Sequence, residues 1–421
     1  MRTKHDFKNP LIDTLVKIKG NQRVALFTEP LYGIPFNLYT PFVSIYMAAL
    51  GLSPVQIGVI SMITLLSQMV SSVFAGVVTD KLGRRKALFY CDLIGWVIPF
   101  LLWTTAQSFT AFVIAASLNG LWRISNLSYT LLMVEDAEEK RIPFLFGLIN
   151  LASLVAGFVS PLAYVFVRKY SLVPTMRVLY LTAMVLMIIK NFFLYFGTYD
   201  TDIAKRRMAD SKNTGIFSKL IKSKDLFYSI LKNRQALMAV GLMTAYLIIK
   251  TVNDSFWPLY ATDRIGIEDE ALSIYNTIRS LVMLLSTIFI YPKISVTRFK
   301  FPLFASFSVY IAVGIMYSLL PVKAYTGLIL GTLLEAFALS VIIPMTNTLL
   351  TATIEQEERS MLLGFALMIS LLVSAPFGLI AGWLSKLNRI LPLIMSAVIA
   401  CIACVNTLHL DNLIKKEGIN N

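Results

Sequence analysis

The sequence predicts an all-α integral membrane protein, with twelve transmembrane helices in two six-helix bundles related by a pseudo-twofold axis. Three observations carry that prediction. First, 57% of the 421 residues are hydrophobic and only 15% are charged, against about 45–50% and about 25% in soluble domains. Second, twelve apolar runs follow one another, and twelve spans of about 22 residues would take up about 264 residues. Third, the two halves of the chain share a faint internal correspondence.

The runs lie at approximately 24–48, 55–79, 86–105, 108–134, 143–167 and 177–199, then 236–260, 271–291, 301–320, 325–350, 361–384 and 389–409. They are helices 1 to 12 below. Five segments follow: 1–23 at the N-terminus, a first bundle over 24–199, a basic linker over 200–235, a second bundle over 236–409, and a tail over 410–421. Asn21-Gln22-Arg23 before helix 1 matches Asn233-Arg234-Gln235 before helix 7. Pro41 and Gly51 match Pro258 and Gly266, Glu138-Glu139 match Glu357-Glu358, and Pro161 matches Pro376, all at offsets of 211 to 219 residues. A parallel repeat of six helices places its axis along the membrane normal and its cavity between the halves.

The net charge of +14 would suggest nucleic acid in a soluble protein. Here it is read as orientation, because loop Lys and Arg accumulate on the cytoplasmic side. With a cytoplasmic N-terminus, cytoplasmic segments hold 27 Lys/Arg and the opposite loops 7. Both termini and residues 200–235 are therefore expected inside the cell membrane, facing anionic inner-leaflet lipids. Short amphipathic stretches around Leu11–Lys19 and Ile216–Leu231 are expected to lie in that interface. No cleavable signal is expected. The two histidines, His5 and His409, and the cysteines Cys91, Cys401 and Cys404 offer no metal site or catalytic triad. The chain is expected to bind neither metal nor cofactor, and to be a monomer.

Between helices 2 and 3 the chain reads Gly76-Val77-Val78-Thr79-Asp80-Lys81-Leu82-Gly83-Arg84-Arg85-Lys86. Gly76 is expected to permit close helix contact, and Gly83 to supply the positive φ of a sharp turn. Asp80 at a helix C-terminus opposes the macrodipole and needs a compensating partner, either Arg84 or the N-terminus of another helix. This loop resembles the signature of the major facilitator superfamily, Gly-x-x-x-Asp-Arg/Lys-x-Gly-Arg-Arg/Lys. The resemblance implies the architecture of the whole chain and a conformational latch. Gly76, Asp80, Lys81, Gly83, Arg84 and Arg85 would form it with an acid at the inner end of helix 4, either Glu135 or Asp136, and with the N-terminus of helix 11 capping Asp80. The second-half copy, Tyr291 to Arg298, lacks the acid and both glycines.

Ionisable groups inside spans cost several kcal/mol, on the order of 3, and each is a functional candidate. The resemblance makes helices 1, 4, 7 and 10 the cavity lining. They carry Glu29, Arg123, Lys250 with Asp254, and Glu335, with Arg279 beside them on helix 8. Lys190 on helix 6 is expected to snorkel. At about 1.5 Å per residue, Lys250 and Glu335 share a depth and are expected to pair, with a structural ion pair of Lys250 and Asp254 at i, i+4 on one helix as the alternative. A bridge from Arg123 to Glu29 would need the arginine to reach inward. Asn119, Trp122 and Asn126 are expected on one face with Arg123, completed by Tyr32, Phe36, Tyr39, Asn253 and Trp257, the last of them alternatively an interfacial anchor.

The function implied is a secondary transporter of a small organic solute by alternating access, driven by the proton gradient. A drug or toxic-metabolite efflux antiporter is the alternative. Helix 5 counts against it, with Ala156, Ser160, Pro161, Tyr164 and Val165 where such antiporters carry Gly-x-x-x-Gly-Pro-x-x-Gly-Gly. A transport-dead sensor is the alternative of another class, and an enzyme is not expected.

Overall fold

The computed structural model describes residues 10–138, 141–211, 232–290, 293–294, 298–352 and 359–416. These are almost wholly helical, with no strand among the described residues. Among the described residues, ten helices are long and apolar enough to cross a membrane: Pro54–Leu82, Arg84–Thr105, Ile142–Tyr170, Leu172–Gly197, Arg234–Ile265, Asp269–Phe289, Lys300–Leu319, Tyr325–Thr351, Leu362–Leu387 and Leu391–Lys415. They correspond to helices 2, 3 and 5 to 12.

Helices 1 and 4 form but do not run unbroken. Helix 1 spans Gly20–Tyr39, tightens into a 3-10 turn over Thr40–Phe42 and resumes as Val43–Ala49. Pro30, Pro35 and Pro41 account for this, since each removes an N–H from the ladder. Helix 4 divides into Phe109–Asn119 and Trp122–Val134 at Gly120, where a Cβ would lie 2.5 Å from the Ser67 backbone on helix 2. Close approach between helices 2 and 4 thus takes precedence over helical continuity.

Local signals set several boundaries. Ser53 and Gln56 form a capping box at the start of helix 2. Gly83 takes φ +82° between helices 2 and 3, as a turn this tight requires. Gly76 departs from expectation: a side chain there would meet nothing within 4 Å. The end of helix 2 is held by polar contacts instead of backbone packing.

Each half packs internally, helix 1 against helix 6 and helix 9 against helices 10 and 12. Between the halves, helix 2 lies along helix 11, and helix 5 along helix 8. Glycines make the first contact close at the end remote from the termini. A Cβ on Gly58 would lie 2.5 Å from the carbonyl oxygen of Gly378, and one on Gly382 would lie 2.7 Å from that of Pro54. Small residues at such crossings let backbones approach where lipid supplies no hydrophobic drive. In the second contact, the Thr277 hydroxyl donates to the Gly157 carbonyl (3.4 Å), and the Asn276 amide to Asn37 Oδ1 (3.4 Å) and Ser160 Oγ (3.3 Å). Ser61 and Ser255 join helices 2 and 7 at 2.9 Å.

The amphipathic stretch near the N-terminus is the helix Pro10–Lys17. The stretch Ile216–Leu231 lies outside the described residues, as do Glu139, Glu357 and Glu358 and most of Tyr291 to Val296.

Candidate functional site: buried charges in each half and a cleft between them

At the end carrying the termini, Arg84 organises the loop after helix 2. Its guanidinium is buried, with Nη1 donating to Asp80 Oδ1 (2.9 Å) and to the Thr79 carbonyl (3.2 Å), and Nε to Glu135 Oε1 (3.0 Å). Glu135 is therefore the acid that helix 4 contributes, and its second oxygen accepts from the Thr201 hydroxyl. Asp136 faces Tyr199 instead, and that hydrogen bond, followed by burial, pushes the phenol above its usual range. The Arg85 backbone N–H donates to Asp200 (3.1 Å), and its guanidinium donates to the Thr198 carbonyl and stacks over Tyr195. Lys81 is exposed. The segment after helix 6 thus completes this cluster, a role the sequence did not reveal. Helix 11, expected to cap Asp80, begins at Arg359, directly after residues 353–358, which lie outside the described residues.

Within the first half, Glu29 is buried on helix 1 and accepts from Lys190 Nζ (3.0 Å) and the Tyr129 hydroxyl (2.9 Å). Lys190 does not snorkel: its side chain is 8% exposed, and its ammonium lies over the rings of Tyr32 (5.0 Å) and Tyr129 (5.2 Å). A carboxylate and two ring faces hold the ammonium inside the bundle. Asp92 of helix 3 lies beside Ser125, within electrostatic reach of Lys190 and Glu29. These groups line a cleft enclosing about 440 Å³, part of it open, with Trp96, Trp122 and Asn126 among its walls.

Arg123 does not reach Glu29. It donates through Nε (3.1 Å) and Nη2 (2.9 Å) to Gln68 Oε1 on helix 2, and stacks over Trp122 at 4.3 Å. Asn119, Trp122, Arg123 and Asn126 do not share one face, because the break at Gly120 resets the helical phase. Asn119 is buried and donates to the Gly95 carbonyl (2.8 Å), a packing role. Tyr39 also belongs to the core, against Phe100 and Tyr180, and Phe36 packs between Tyr32 and Tyr39. Of the expected lining in this half, Tyr32, Trp122 and Asn126 reach the cleft.

In the second half Lys250 and Glu335 do not meet. Glu335 is 2% exposed and accepts from Arg279 Nη2 (3.3 Å), the Tyr317 hydroxyl (3.2 Å) and the Asn253 amide. Tyr310 donates to the far side of Asn253 (3.1 Å). Helix 7 thus turns Asn253 rather than Lys250 toward helix 10; equal depth did not imply a shared face. Lys250 pairs with Asp254 one turn along its own helix, and both are about half exposed, at 49% and 52%. Arg123 of the other half and Tyr246 lie within electrostatic reach of Lys250. A half-exposed ion pair midway along a transmembrane helix borders water, not lipid. Trp257 is 1% exposed and lies under Arg279 at 4.0 Å, so it is no interfacial anchor. Asn253, Asp254, Trp257 and Arg279 line a second cleft of about 390 Å³, to which the first half contributes Thr40 and Pro41.

Both the helix 2–3 signature and the paired halves agree with the sequence profile described as Major Facilitator Superfamily, which matches residues 26–369. The chain belongs to the major facilitator superfamily, a family of membrane transporters, not enzymes. A "Multidrug resistance protein MdtG" from Klebsiella pneumoniae (strain 342) is 25% identical over 263 residues, 60% of either chain. The Citrobacter koseri protein of the same name is 26% identical over 190 residues, 44% of this chain and 46% of the relative. The chain thus matches 60% and 46% of the length of these relatives. Among solved structures, the human organic anion transporter MFSD10 (TETRAN) superposes with TM-score 0.62 at 14% identity, covering 92% of this chain and 98% of that one. A mutant of the nucleoside transporter NupG gives 0.66 at 14% identity, covering 94% and 99%. A POT family transporter in complex with 5-aminolevulinic acid gives 0.70 at 14% identity, covering 93% and 96%. At that identity the likeness is one of superfamily fold.

Asp92, Gln68 and Tyr129 were missed by sequence reasoning. Asp92 carried a usable signal, as a single acid inside the apolar run 86–105, where any ionisable group is exceptional. Gln68 and Tyr129 carried none.

Proposed function

We propose that this protein carries a small organic solute across the cell membrane by alternating access, driven by the proton gradient. The observation that carries the proposal is the Lys250–Asp254 pair, half exposed midway along helix 7, while glycine contacts hold the halves together at the end remote from the termini. Bundles in close contact at one end, with exposed charges midway between them, are what a rocking pair presents in one state of its cycle. In this reading 24–199 and 236–409 are the two moving bodies, joined by the basic segment 200–235. That segment and both termini face the cytoplasm and its anionic lipids, and the protein works as a monomer, with neither nucleic acid nor cofactor. Glu29, Asp92 and Glu335 are the candidate proton carriers, and the arginine cluster at Arg84 is the latch.

The test is flux in proteoliposomes. An imposed pH gradient should drive accumulation of the solute, and a protonophore should abolish it. Accumulation that ignores the pH gradient would remove protons as the coupling ion.

The MdtG relatives favour a second reading, efflux of toxic compounds in exchange for protons. The altered helix 5 pattern, Ala156 to Val165, argues against it. Oriented vesicles decide between them: export requires proton and solute to move in opposite directions.

A further inference from the structure

We infer that the cleft in the first half is a cage for an organic ammonium ion, and that Lys190 occupies it as a tethered stand-in until such a solute displaces it. The inference rests on reading this cleft as a solute site, and adds the chemical class of the solute.

Three observations lead there. The Lys190 ammonium has the surroundings that recognise free alkylammonium ions: the faces of Tyr32 and Tyr129 at 5.0 and 5.2 Å, and the Glu29 carboxylate at 3.0 Å. The aromatic wall then continues past the lysine. Tyr32 meets Trp96 edge-on at 5.3 Å, and Trp96 approaches Trp122 at 6.5 Å, both lining the same cleft. A solute with an apolar body can therefore lie against rings that Lys190 does not use.

Charge supplies the third observation. Among the described residues the cleft has two buried acids, Glu29 and Asp92, but Lys190 as its one lining cation. A second positive charge is therefore electrostatically favoured. When an ammonium solute enters, Lys190 can pass from Glu29 toward Asp92, both of which already act on it, so neither carboxylate is left alone.

The probe is benzyltrimethylammonium, permanently charged and carrying one ring, titrated into the full-length protein in detergent. Its neutral carbon isostere and benzylsulfonate serve as controls. Wild type should bind the cation and neither control. Lys190→Met, which removes the stand-in, should tighten binding at least tenfold, and Asp92→Asn should weaken it at least tenfold. Lys190→Arg keeps the charge and should fold even if the methionine variant does not. Its guanidinium forks onto Glu29 and stacks on the rings, so it should weaken binding threefold or more. Equal affinity in wild type and Lys190→Arg, or equal binding of cation and isostere, would overturn the inference. Flux in proteoliposomes is measured separately: the predicted binding series without any flux would sink the transport reading and leave the cage intact.

Discussion

The buried carboxylates of the two halves are built differently. In the first half Glu29 and Asp92 share one lysine, and the cleft beside them is walled by aromatic rings. In the second half Glu335 alone draws on Arg279, Tyr317 and Asn253, with Tyr310 behind Asn253. Nor are they copies by position, since a six-helix repeat relates helix 1 to helix 7 and helix 4 to helix 10. Glu29 and Lys190 lie on helices 1 and 6, whereas Glu335 and Arg279 lie on helices 10 and 8. The fold repeats and the chemistry does not. One half has an excess of acid, and the other holds its acid among three hydrogen-bond donors.

That contrast is broken most directly at Glu335. Glu335→Ala should cost about 3–5 kcal/mol of stability, because it strands the partly buried Arg279 guanidinium together with the buried Asn253 and Tyr317 donors. Glu335→Gln retains an acceptor and should fold. We expect it to abolish proton-driven accumulation and keep counterflow of solute for solute, measured in proteoliposomes. Full accumulation by Glu335→Gln would leave Glu29, Asp92 and Asp254 as the candidate coupling acids.

Glu29 should be more forgiving. Asp92 acts on the same ammonium, so Glu29→Gln should cost about 1–3 kcal/mol, less than Glu335→Ala under the same unfolding conditions. Adding Lys190→Met to Glu29→Gln should recover part of that loss, since the pair leaves together. A Glu29→Gln loss as large as that of Glu335→Ala would mean that Asp92 does not share the lysine, and the contrast between the halves would fall.

What was legible follows from the kind of information a sequence holds. Apolar runs, loop charge and the Gly76–Lys86 signature are local or additive, and the helix order, the turn at Gly83 and the Arg84–Asp80 pair followed from them. Partner choice across helices is not local. Lys250 and Glu335 share a depth, yet the rotation of helix 7 turns Asn253 toward helix 10. Likewise no pattern within helix 4 shows that it breaks at Gly120, because the cause is a backbone contact with Ser67, fifty-three residues earlier. Glu29 was legible as a candidate. Its partner was not, since Lys190 sits near a helix end where snorkelling is the ordinary outcome.

A smaller effect is expected at the latch. Asp80 is 21% exposed, and Arg84 keeps Glu135 when Asp80 is neutralised. Asp80→Asn should therefore change stability by about 1 kcal/mol or less, while lowering transport at normal abundance. Glu135→Gln, at the buried end of the same arginine, should destabilise more. Equal stability losses in the two variants would show that Arg84 depends on both acids alike.

The smallest stability effect should come from the remaining intramembrane pair, Lys250 and Asp254. Both lie midway along a transmembrane helix, where an isolated charge facing lipid would be costly. Their half-exposed side chains face water in the cleft between the halves, so the pair should behave like a surface salt bridge of about 0–1 kcal/mol. Lys250→Gln and Asp254→Asn, singly or together, should therefore leave unfolding nearly unchanged. They should still alter transport if the solute passes between the halves, since Arg123 of the first half lies within electrostatic reach of Lys250. Salt gives an independent check, because a solvated pair is screened and a buried one is screened far less. If either single variant lost several kcal/mol, the pair would be dry, the cleft would be closed around it, and the site of solute entry would have to be sought beside Glu29 alone.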